Sequence, residues 1–248
     1  MTSYAKFAQF YDTLTNNIDY KKHAEYYDEI VSSFGGVKGI LLDLACGTGS
    51  LSEEMAKFDY DVIGVDLSQE MLSMALNKKY DSGLPIQYLC QDMCKLDMYG
   101  TLDVTICALD SLNHLPNIDS VKHCIERISL FSNPNGLLIF DVNTPYKHEN
   151  ILSNNTFIYD TENVYCVWEN TLLEKENAVE ISLTFFEKNG DSYKRYEENF
   201  IEKAYSIEML DKILENAGFE ILAHYDYMTK NNPTEKSEKI TFVARKVR

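Results

Sequence analysis

Residues 41–50 read LLDLACGTGS and combine an apolar run, a carboxylate at Asp43 and a turn with glycines at Gly47 and Gly49. The apolar run predicts a buried strand. Glycines in a tight turn let the backbone approach a ligand without a Cβ in the way. A helix beginning at about Ser50 would add unpaired N–H groups at the same place. The stretch therefore predicts a strand–turn–helix unit that binds a small ligand.

The charge of Asp43 indicates what kind of ligand this turn accepts. A pyrophosphate would be repelled by the carboxylate, whereas a ligand that carries ammonium and sulfonium groups would be attracted. The turn also lacks the third glycine of the G-x-G-x-x-G dinucleotide fingerprint, because Ser52 occupies that position. Both features favour a cationic cofactor over a nicotinamide dinucleotide.

Three further segments have the pattern of apolar strands with a carboxylate at or just after the end, and these carboxylates are Asp66, Asp92 and Asp110. The carboxyl ends of parallel strands meet at one edge of an open α/β sheet, where such folds bind ligands. Like charges gathered at one edge cost free energy unless a cationic or hydroxyl-rich ligand uses them. Together with Asp43, these carboxylates predict one cofactor site.

The segment from Asp43 to Gly49 resembles the first motif of the class I S-adenosylmethionine-dependent methyltransferases, and the likeness extends over most of the chain. Asp66 resembles the second motif, whose carboxylate holds the ribose hydroxyls, and Met71 resembles the side chain that lies against the adenine. Asp92 resembles the carboxylate that accepts from the adenine amine. The resemblance implies that the cofactor is S-adenosylmethionine. The residues that it assigns to the cofactor are Tyr11, Asp43, Ala45, Cys46, Gly47, Thr48, Gly49, Asp66, Leu67, Met71, Gln91, Asp92, Met93, Ala108, Leu109 and Asp110.

The resemblance also places the loop after Asp110 beside the site of methyl transfer. In that loop His114 is the candidate base for a hydroxyl or ammonium acceptor, with Asn113 beside it. An alternative interpretation is that both side chains cap the helix that follows. The six cysteines include no C-x-x-C pair, so no metal site is expected.

The resemblance implies an α/β fold with a Rossmann-like seven-stranded sheet, mostly parallel and with its last strand antiparallel, an N-terminal helical lid and an inserted small antiparallel β-sheet. We expect the cofactor-binding domain to comprise residues 1–150 and 204–248, with residues 1–36 as the lid. Tyr4 and Tyr11 fall on one face of the first helix of this lid.

Residues 151–203 differ in pattern and predict an antiparallel β subdomain that covers the substrate site. The run from Val179 to Phe185 alternates apolar and polar side chains, and Asn189-Gly190 is a strong hairpin signal. A segment of roughly fifty residues with one strong turn is too small to be comfortably stable alone. We therefore expect this insertion to pack against the main sheet.

The charge and hydropathy of the chain indicate which classes of binding partner are favoured. The 248 residues include 39 acidic and 23 basic side chains, for a formal net charge of −16 at pH 7. Nucleic-acid binding requires clustered lysine and arginine, and none is clustered here, so a small-molecule acceptor is favoured. No apolar run approaches the roughly 18 residues of a membrane span and no signal peptide is visible, which predicts a cytoplasmic protein. The sequence specifies no oligomeric state.

These expectations combine into one function, which is S-adenosylmethionine-dependent transfer of a methyl group to a nitrogen or oxygen atom of a small molecule by in-line displacement. Two alternatives stay open. One is a cofactor-binding regulator or inactive protein that keeps the fold without catalysis, and a closed acceptor pocket filled with apolar side chains would favour it. The other is a nicotinamide-dependent oxidoreductase, which Asp66 suits but Asp43 and Ser52 oppose.

Overall fold

The computed structural model describes residues 7–247, so Tyr4 of the predicted lid lies outside the described residues. Within this range eleven strands form two sheets. The strands are β1 (Ile40–Leu44), β2 (Asp61–Asp66), β3 (Gln87–Cys90), β4 (Leu102–Cys107), β5 (Ser132–Asn143), β6 (Thr156–Asp160), β7 (Val164–Leu173), β8 (Ala178–Asn189), β9 (Ser192–Lys203), β10 (Phe219–Asp226) and β11 (Lys239–Lys246).

The larger sheet has the strand order β10-β11-β5-β4-β1-β2-β3, and the smaller sheet has the order β6-β7-β8-β9. Strands β1 to β5 pair in parallel, whereas β11 runs antiparallel to both of its neighbours, β5 and β10. The expected α/β fold is confirmed, with its seven-stranded, mostly parallel sheet and a separate antiparallel sheet.

The central strand β1 is buried on both faces, which explains its continuous apolar sequence. Leu42 and Leu44 pack into the core on one side of the sheet, and Leu41 packs into the core on the other side. Because side chains alternate along a strand, Asp43 shares the face of Leu41. Its carboxylate therefore lies at the end of the strand, where the sheet meets the following turn.

Helices cover both faces of the larger sheet. They are α1 (Phe7–Leu14), α2 (Tyr20–Ser33), α3 (Ser50–Ala56), α4 (Gln69–Ser82), α5 (Ile118–Phe131), α6 (Pro145–Lys147) and α7 (Ile207–Asn216). Ser68 caps α4 and Ser206 caps α7, and each hydroxyl accepts from the backbone N–H three residues later. The cap of α5 is Asn117, so the interpretation of Asn113 and His114 as the caps of this helix is wrong. Crossing a bilayer requires a longer and more apolar helix than any found in residues 7–247.

The smaller sheet shows the predicted alternation, because Val179, Ile181, Leu183 and Phe185 are all buried on its inner face. The predicted hairpin is also confirmed, since β8 ends at Asn189 and pairs directly with β9. The structure adds one strand, β6, that the sequence pattern did not indicate. On the inner face the ring of Phe10 from α1 stacks on Phe185 at a centroid distance of 5.8 Å. Helix α1 thus packs against the insertion.

Strand β5 contains an irregular segment near its start. The sequence Asn133-Pro134-Asn135-Gly136 is typical of a turn before a strand, yet it lies inside β5, which begins at Ser132. Its pairing with β4 passes from Leu102↔Ser132 to Val104↔Leu137, so the intervening residues form a bulge. Asn135 has a φ of 67° there, a left-handed conformation that asparagine tolerates better than most residues.

Candidate functional site

A cavity of about 1030 Å³ lies at the carboxyl ends of β1, β2 and β4. Its other walls come from helices α1 and α2, from the inner face of the insertion, and from the loop between β10 and β11. Ligand pockets in proteins usually measure roughly 300 to 1000 Å³. The cavity therefore has room for a cofactor and a second small molecule.

Most of the predicted site residues line this cavity. Every residue assigned to the cofactor from the sequence is on its wall except Gly49, and His114 is on its wall as well. Asn113 is not: its side chain is fully buried and donates to the backbone oxygens of Asn143 and Lys203. The amide of Asn113 therefore ties the insertion to β5.

Gly49 is required for packing against the neighbouring strand and helix. It has a φ of +75°, and a Cβ built there would lie 2.9 Å from the Cβ of Ala75 and collide with the hydroxyl of Tyr88. Gly47 has a φ of +54°, but a Cβ there would meet no atom within 4 Å. The two glycines of the same turn thus serve different purposes.

We expect Gly49→Ala to lower the free energy of unfolding by about 2 to 4 kcal/mol, because overpacking adds to backbone strain. Gly47→Ala should lower it by only about 1 kcal/mol, and its new methyl group would stand in the space used by a ligand. Chemical denaturation followed by circular dichroism measures both. Equal destabilisation by the two variants would contradict the packing role of Gly49.

Asp43 is a buried carboxylate beside the cavity. Its side chain is 2% exposed and accepts a hydrogen bond of 2.5 Å from the hydroxyl of Ser52. This contact gives Ser52 a role at the position where a dinucleotide site has its third glycine. Burial raises the pKa of Asp43 to about 7. No lysine, arginine or histidine of residues 7–247 forms an ion pair with it, so its charge is available to a cationic ligand.

Asp66 holds the binding turn in place. One carboxylate oxygen accepts from the backbone N–H of Gly47 and the other accepts from the backbone N–H of Ser68, both at 2.8 Å. Burial raises the pKa of Asp66, although these backbone contacts oppose the shift. Each oxygen keeps a further lone pair that can accept from a ligand hydroxyl.

The segment after β3 is shaped by its own polar side chains. The amide of Gln91 exchanges two hydrogen bonds with the backbone of Asp97, at 2.9 and 3.0 Å. Asp92 accepts from the backbone N–H of Cys94 at 2.9 Å. The Gln91 side chain is therefore engaged in holding the loop, and the carboxylate of Asp92 retains acceptor capacity toward the cavity.

Helix α1 is fastened to the binding turn by a small polar cluster. Asp12 accepts from the hydroxyl of Thr48 at 2.6 Å and forms an ion pair of 2.6 Å with Lys78. Lys78 also donates to the hydroxyl of Ser50 at 2.6 Å. Tyr11 on this helix lines the cavity beside the turn. The helix thus covers the turn that carries the predicted cofactor residues.

Cys46 lies in this turn, but its thiol is a poor nucleophile. Burial raises the pKa of Cys46 well above the usual range for a cysteine, and the carboxylates of Asp43 and Asp66 add to the shift. Its sulfur would lie 3.0 Å from a Cβ at Gly64. The side chain therefore fills space against β2.

A second polar group lies deeper in the cavity, around Asn143. Its side-chain nitrogen donates to Asp110 at 2.6 Å and to Glu202 at 3.0 Å, and its oxygen accepts from Lys147 at 2.9 Å. Lys239 forms an ion pair of 2.8 Å with Asp110. Burial would raise the pKa of Asp110, but Lys239 and Lys147 outweigh burial and hold that pKa well below the usual range.

His114 stands beside this group. Its Nε2 atom lies 3.6 Å from a carboxylate oxygen of Glu202, and its ring centroid lies 5.2 Å from that of Phe200. One ligand atom each from Asp110, His114 and Glu202 fall within 4.8 Å of one another, which is a spacing compatible with a metal ion. Of these three groups Asp110 is already engaged, because the ammonium of Lys239 lies 2.8 Å from its carboxylate.

Sequence reasoning missed Lys147, Glu202 and Lys239. Lys147 lies four residues after the end of β5. The predicted site residues came only from the ends of the other parallel strands. Glu202 lies two residues after Phe200 on β9, so the two side chains lie on the same face of the sheet. Assignment of β9 as a complete strand from the sequence would have placed Glu202 on the inner face. Lys239 begins β11 and had no local signal.

Proteins similar to this chain in sequence or structure are described as methyltransferases. A family described as "Methyltransferase domain" matches residues 41–136. A crystal structure of a S-adenosylmethionine-dependent methyltransferase from Clostridium acetobutylicum ATCC 824 is 36% identical, has a TM-score of 0.89 and covers 99% of both chains. The Bacillus subtilis (strain 168) protein named "Putative methyltransferase YqeM" is 32% identical over 244 residues, which are 98% of this chain and 97% of that relative.

A more distant likeness concerns the fold alone. The sugar N-methyltransferase KedS8 from Streptoalloteichus sp ATCC 53650 is 19% identical and has a TM-score of 0.78, over 96% of this chain and 93% of that chain. All of these alignments except the family match extend through the insertion, because they cover nearly the whole chain.

Proposed function

The chain belongs to the S-adenosylmethionine-dependent methyltransferases, and we propose that it methylates a nitrogen or oxygen atom of a small-molecule acceptor by in-line displacement. The observation that carries this proposal is the two-sided cavity of about 1030 Å³. One side is the carboxylate-bearing edge of the sheet, and the other side is the aromatic inner face of the insertion. The nicotinamide-dependent alternative is dropped, because the family is a methyltransferase family.

The residues on the first side fit the cofactor. Asp43 is a buried carboxylate without a cationic partner in the described chain, which suits the ammonium of the methionine moiety. Asp66 retains lone pairs for the ribose hydroxyls, and Asp92 does so for the adenine amine. Met71 is buried on the wall between these carboxylates and the insertion. When bound, the cofactor supplies a methyl group that its sulfonium has already activated.

The residues on the second side fit an acceptor. Tyr159, Trp168 and Phe200 line the cavity from β6, β7 and β9, and their rings would exclude water from the acceptor. His114 would accept a proton at Nε2 from the acceptor atom. This division makes residues 151–203 the part that selects the acceptor, as the sequence predicts. This side of the cavity is open and partly polar. Within residues 7–247 it is not filled by apolar side chains, which supports an enzyme over an inactive protein with the same fold.

Two measurements test the proposed function. Calorimetry should show that the protein binds S-adenosylmethionine and S-adenosylhomocysteine at micromolar levels and binds nicotinamide dinucleotides far more weakly. A panel of small amines, alcohols and carboxylic acids with methyl-labelled cofactor should then yield a labelled amine, ether or ester. Label transferred only to nucleic acid or to protein would overturn the proposed acceptor class.

Phe200→Ala should separate acceptor binding from cofactor binding. Loss of one aromatic wall should raise KM about tenfold for an acceptor found in the panel, and cofactor affinity should stay within about twofold. Ile201→Ala is the matched control, because Ile201 is the next residue and its side chain is 41% exposed. Loss of cofactor binding in a folded Phe200→Ala protein would make the insertion part of the cofactor site and contradict the division.

A further inference from the structure

Glu202 is the carboxylate that the insertion places in the cavity. It lies near the end of β9, and its side chain is 5% exposed. Its oxygens lie 3.6 Å from His114 and 3.7 Å from His148, and one of them accepts from the amide of Asn143 at 3.0 Å. Within residues 7–247, no lysine or arginine nitrogen comes within 4.0 Å of this carboxylate.

This environment contrasts with that of Asp110 at the same end of the cavity. Asp110 has an ammonium, that of Lys239, at 2.8 Å. Glu202 has only an amide donor and two imidazoles, which are neutral unless protonated. A buried carboxylate without a paired cation is costly, so at this end of the cavity a positively charged ligand gains more at Glu202 than at Asp110.

The charges around this end of the cavity point the same way. The cavity wall here carries the ammonium groups of Lys147, Lys236 and Lys239 and the carboxylates of Asp110, Glu202, Asp226 and Glu238. Carboxylates outnumber ammonium groups by one, which favours a cationic acceptor over an acidic one. Lys147 directs its nitrogen to the oxygen of Asn143, so it does not neutralise Glu202 by direct contact.

One aromatic ring lies close to Glu202, and two others line the same cavity. Phe200 lies two residues earlier on the same face of β9, and Trp168 and Tyr159 form a ring pair with centroids 6.2 Å apart. All three rings line the cavity. The faces of aromatic rings attract ammonium ions, by about 0.5 to 2 kcal/mol for each favourable pair. The carboxylate of Glu202 beside the ring of Phe200, in a cavity with further aromatic walls, is a suitable environment for an alkylammonium group.

We propose that Glu202 binds the acceptor as an ammonium ion, and that the acceptor is therefore a small primary or secondary amine. The inference rests on the proposed function, in which the methylated atom is nitrogen or oxygen. It limits that atom to nitrogen. An ammonium has no free lone pair, so one proton must leave before the nitrogen can take a methyl group. Nε2 of His114, 3.6 Å from Glu202, is placed to hold that proton.

The test uses Trp168, the only tryptophan in the chain, as a fluorescent reporter in the acceptor side of the cavity. Protein saturated with S-adenosylhomocysteine is titrated at pH 7 with cyclohexylamine, which is protonated, or with cyclohexanol, which has nearly the same shape and no charge. We expect cyclohexylamine to bind about tenfold more tightly or better. Glu202→Gln should reduce the preference to within about twofold, and Glu197→Gln should retain it.

The Glu197→Gln control lies on the same strand and has a side chain that is 56% exposed. Equal binding of the two probes by the wild-type protein, or an undiminished amine preference in Glu202→Gln, would overturn the inference. Binding of Mn²⁺ that displaces cyclohexylamine and disappears in Glu202→Gln would also overturn it, in favour of a metal site. Methylation of alcohols without an amine preference would defeat this inference and leave the proposed function intact. Failure to bind S-adenosylmethionine would defeat the proposed function itself.

Discussion

Asp66→Ala is expected to weaken S-adenosylmethionine binding by about 30- to 700-fold, or about 2 to 4 kcal/mol. The proposed ribose contact supplies two charge-assisted hydrogen bonds to this carboxylate. The same carboxylate also accepts from the backbone of Gly47 and Ser68, each at 2.8 Å, so its removal loosens the binding turn as well. Isothermal calorimetry with the cofactor and with S-adenosylhomocysteine measures the loss.

Asp61→Ala is the matched control for this experiment. Asp61 begins the same strand that Asp66 ends, and its side chain is exposed at the opposite edge of the sheet. The control should leave cofactor affinity unchanged. If Asp66→Ala bound the cofactor as tightly as Asp61→Ala, the ribose would lie elsewhere in the cavity and the assignment of Asp66 would be wrong.

The second large effect is a dependence of cofactor affinity on pH, which Asp43 causes. Burial raises the pKa of Asp43 to about 7 in the protein without its cofactor. A cationic ligand favours the ionised carboxylate, so the complex binds fewer protons than the free protein and affinity rises with pH. We expect affinity to fall about tenfold between pH 8 and pH 6. Burial also raises the pKa of Asp66, which acts in the same direction.

Asp43→Asn should reduce affinity at pH 8 by about 10- to 100-fold and make the curve flatter between pH 6 and pH 7. The amino group of the cofactor titrates nearer to pH 8, so the two curves are compared between pH 6 and pH 7, where that group is mostly protonated. Asp59→Asn, at an exposed position before β2, should keep the wild-type curve. An unaltered pH dependence in Asp43→Asn would show that Asp43 does not contact the cationic group.

The carboxylate-bearing side of the cavity was predictable because its residues lie in short contiguous motifs. Asp43 and Gly47 lie four residues apart and are brought together by one strand and its turn. Asp66, Asp92 and Asp110 each end a strand or follow one, and parallel pairing alone brings such positions to one edge. Local periodicity and one topological rule are sufficient for this side.

The opposite side of the cavity, around Glu202 and Asn143, was not predictable in the same way. Glu202 contacts Asn143, 59 residues away, and Asp110 contacts Lys239, 129 residues away. No local pattern marks these pairs, because a single buried charge within a strand looks like any other polar residue of an alternating segment. Asn113 was assigned to catalysis from its position beside His114, yet its amide is used inside the protein to hold the insertion.

The sequence by itself determined the strand–turn–helix unit at residues 41–50, the row of carboxylates that favours a cationic cofactor, and the antiparallel character of residues 151–203. These follow from side-chain period, glycine conformation and charge, which act over a few residues. Only the tertiary structure decided that Glu202, His114 and Asn143 meet, and that Gly49 is needed for packing. Those contacts join segments distant in the chain, and they exist because the insertion folds back over the sheet and buries its inner face there.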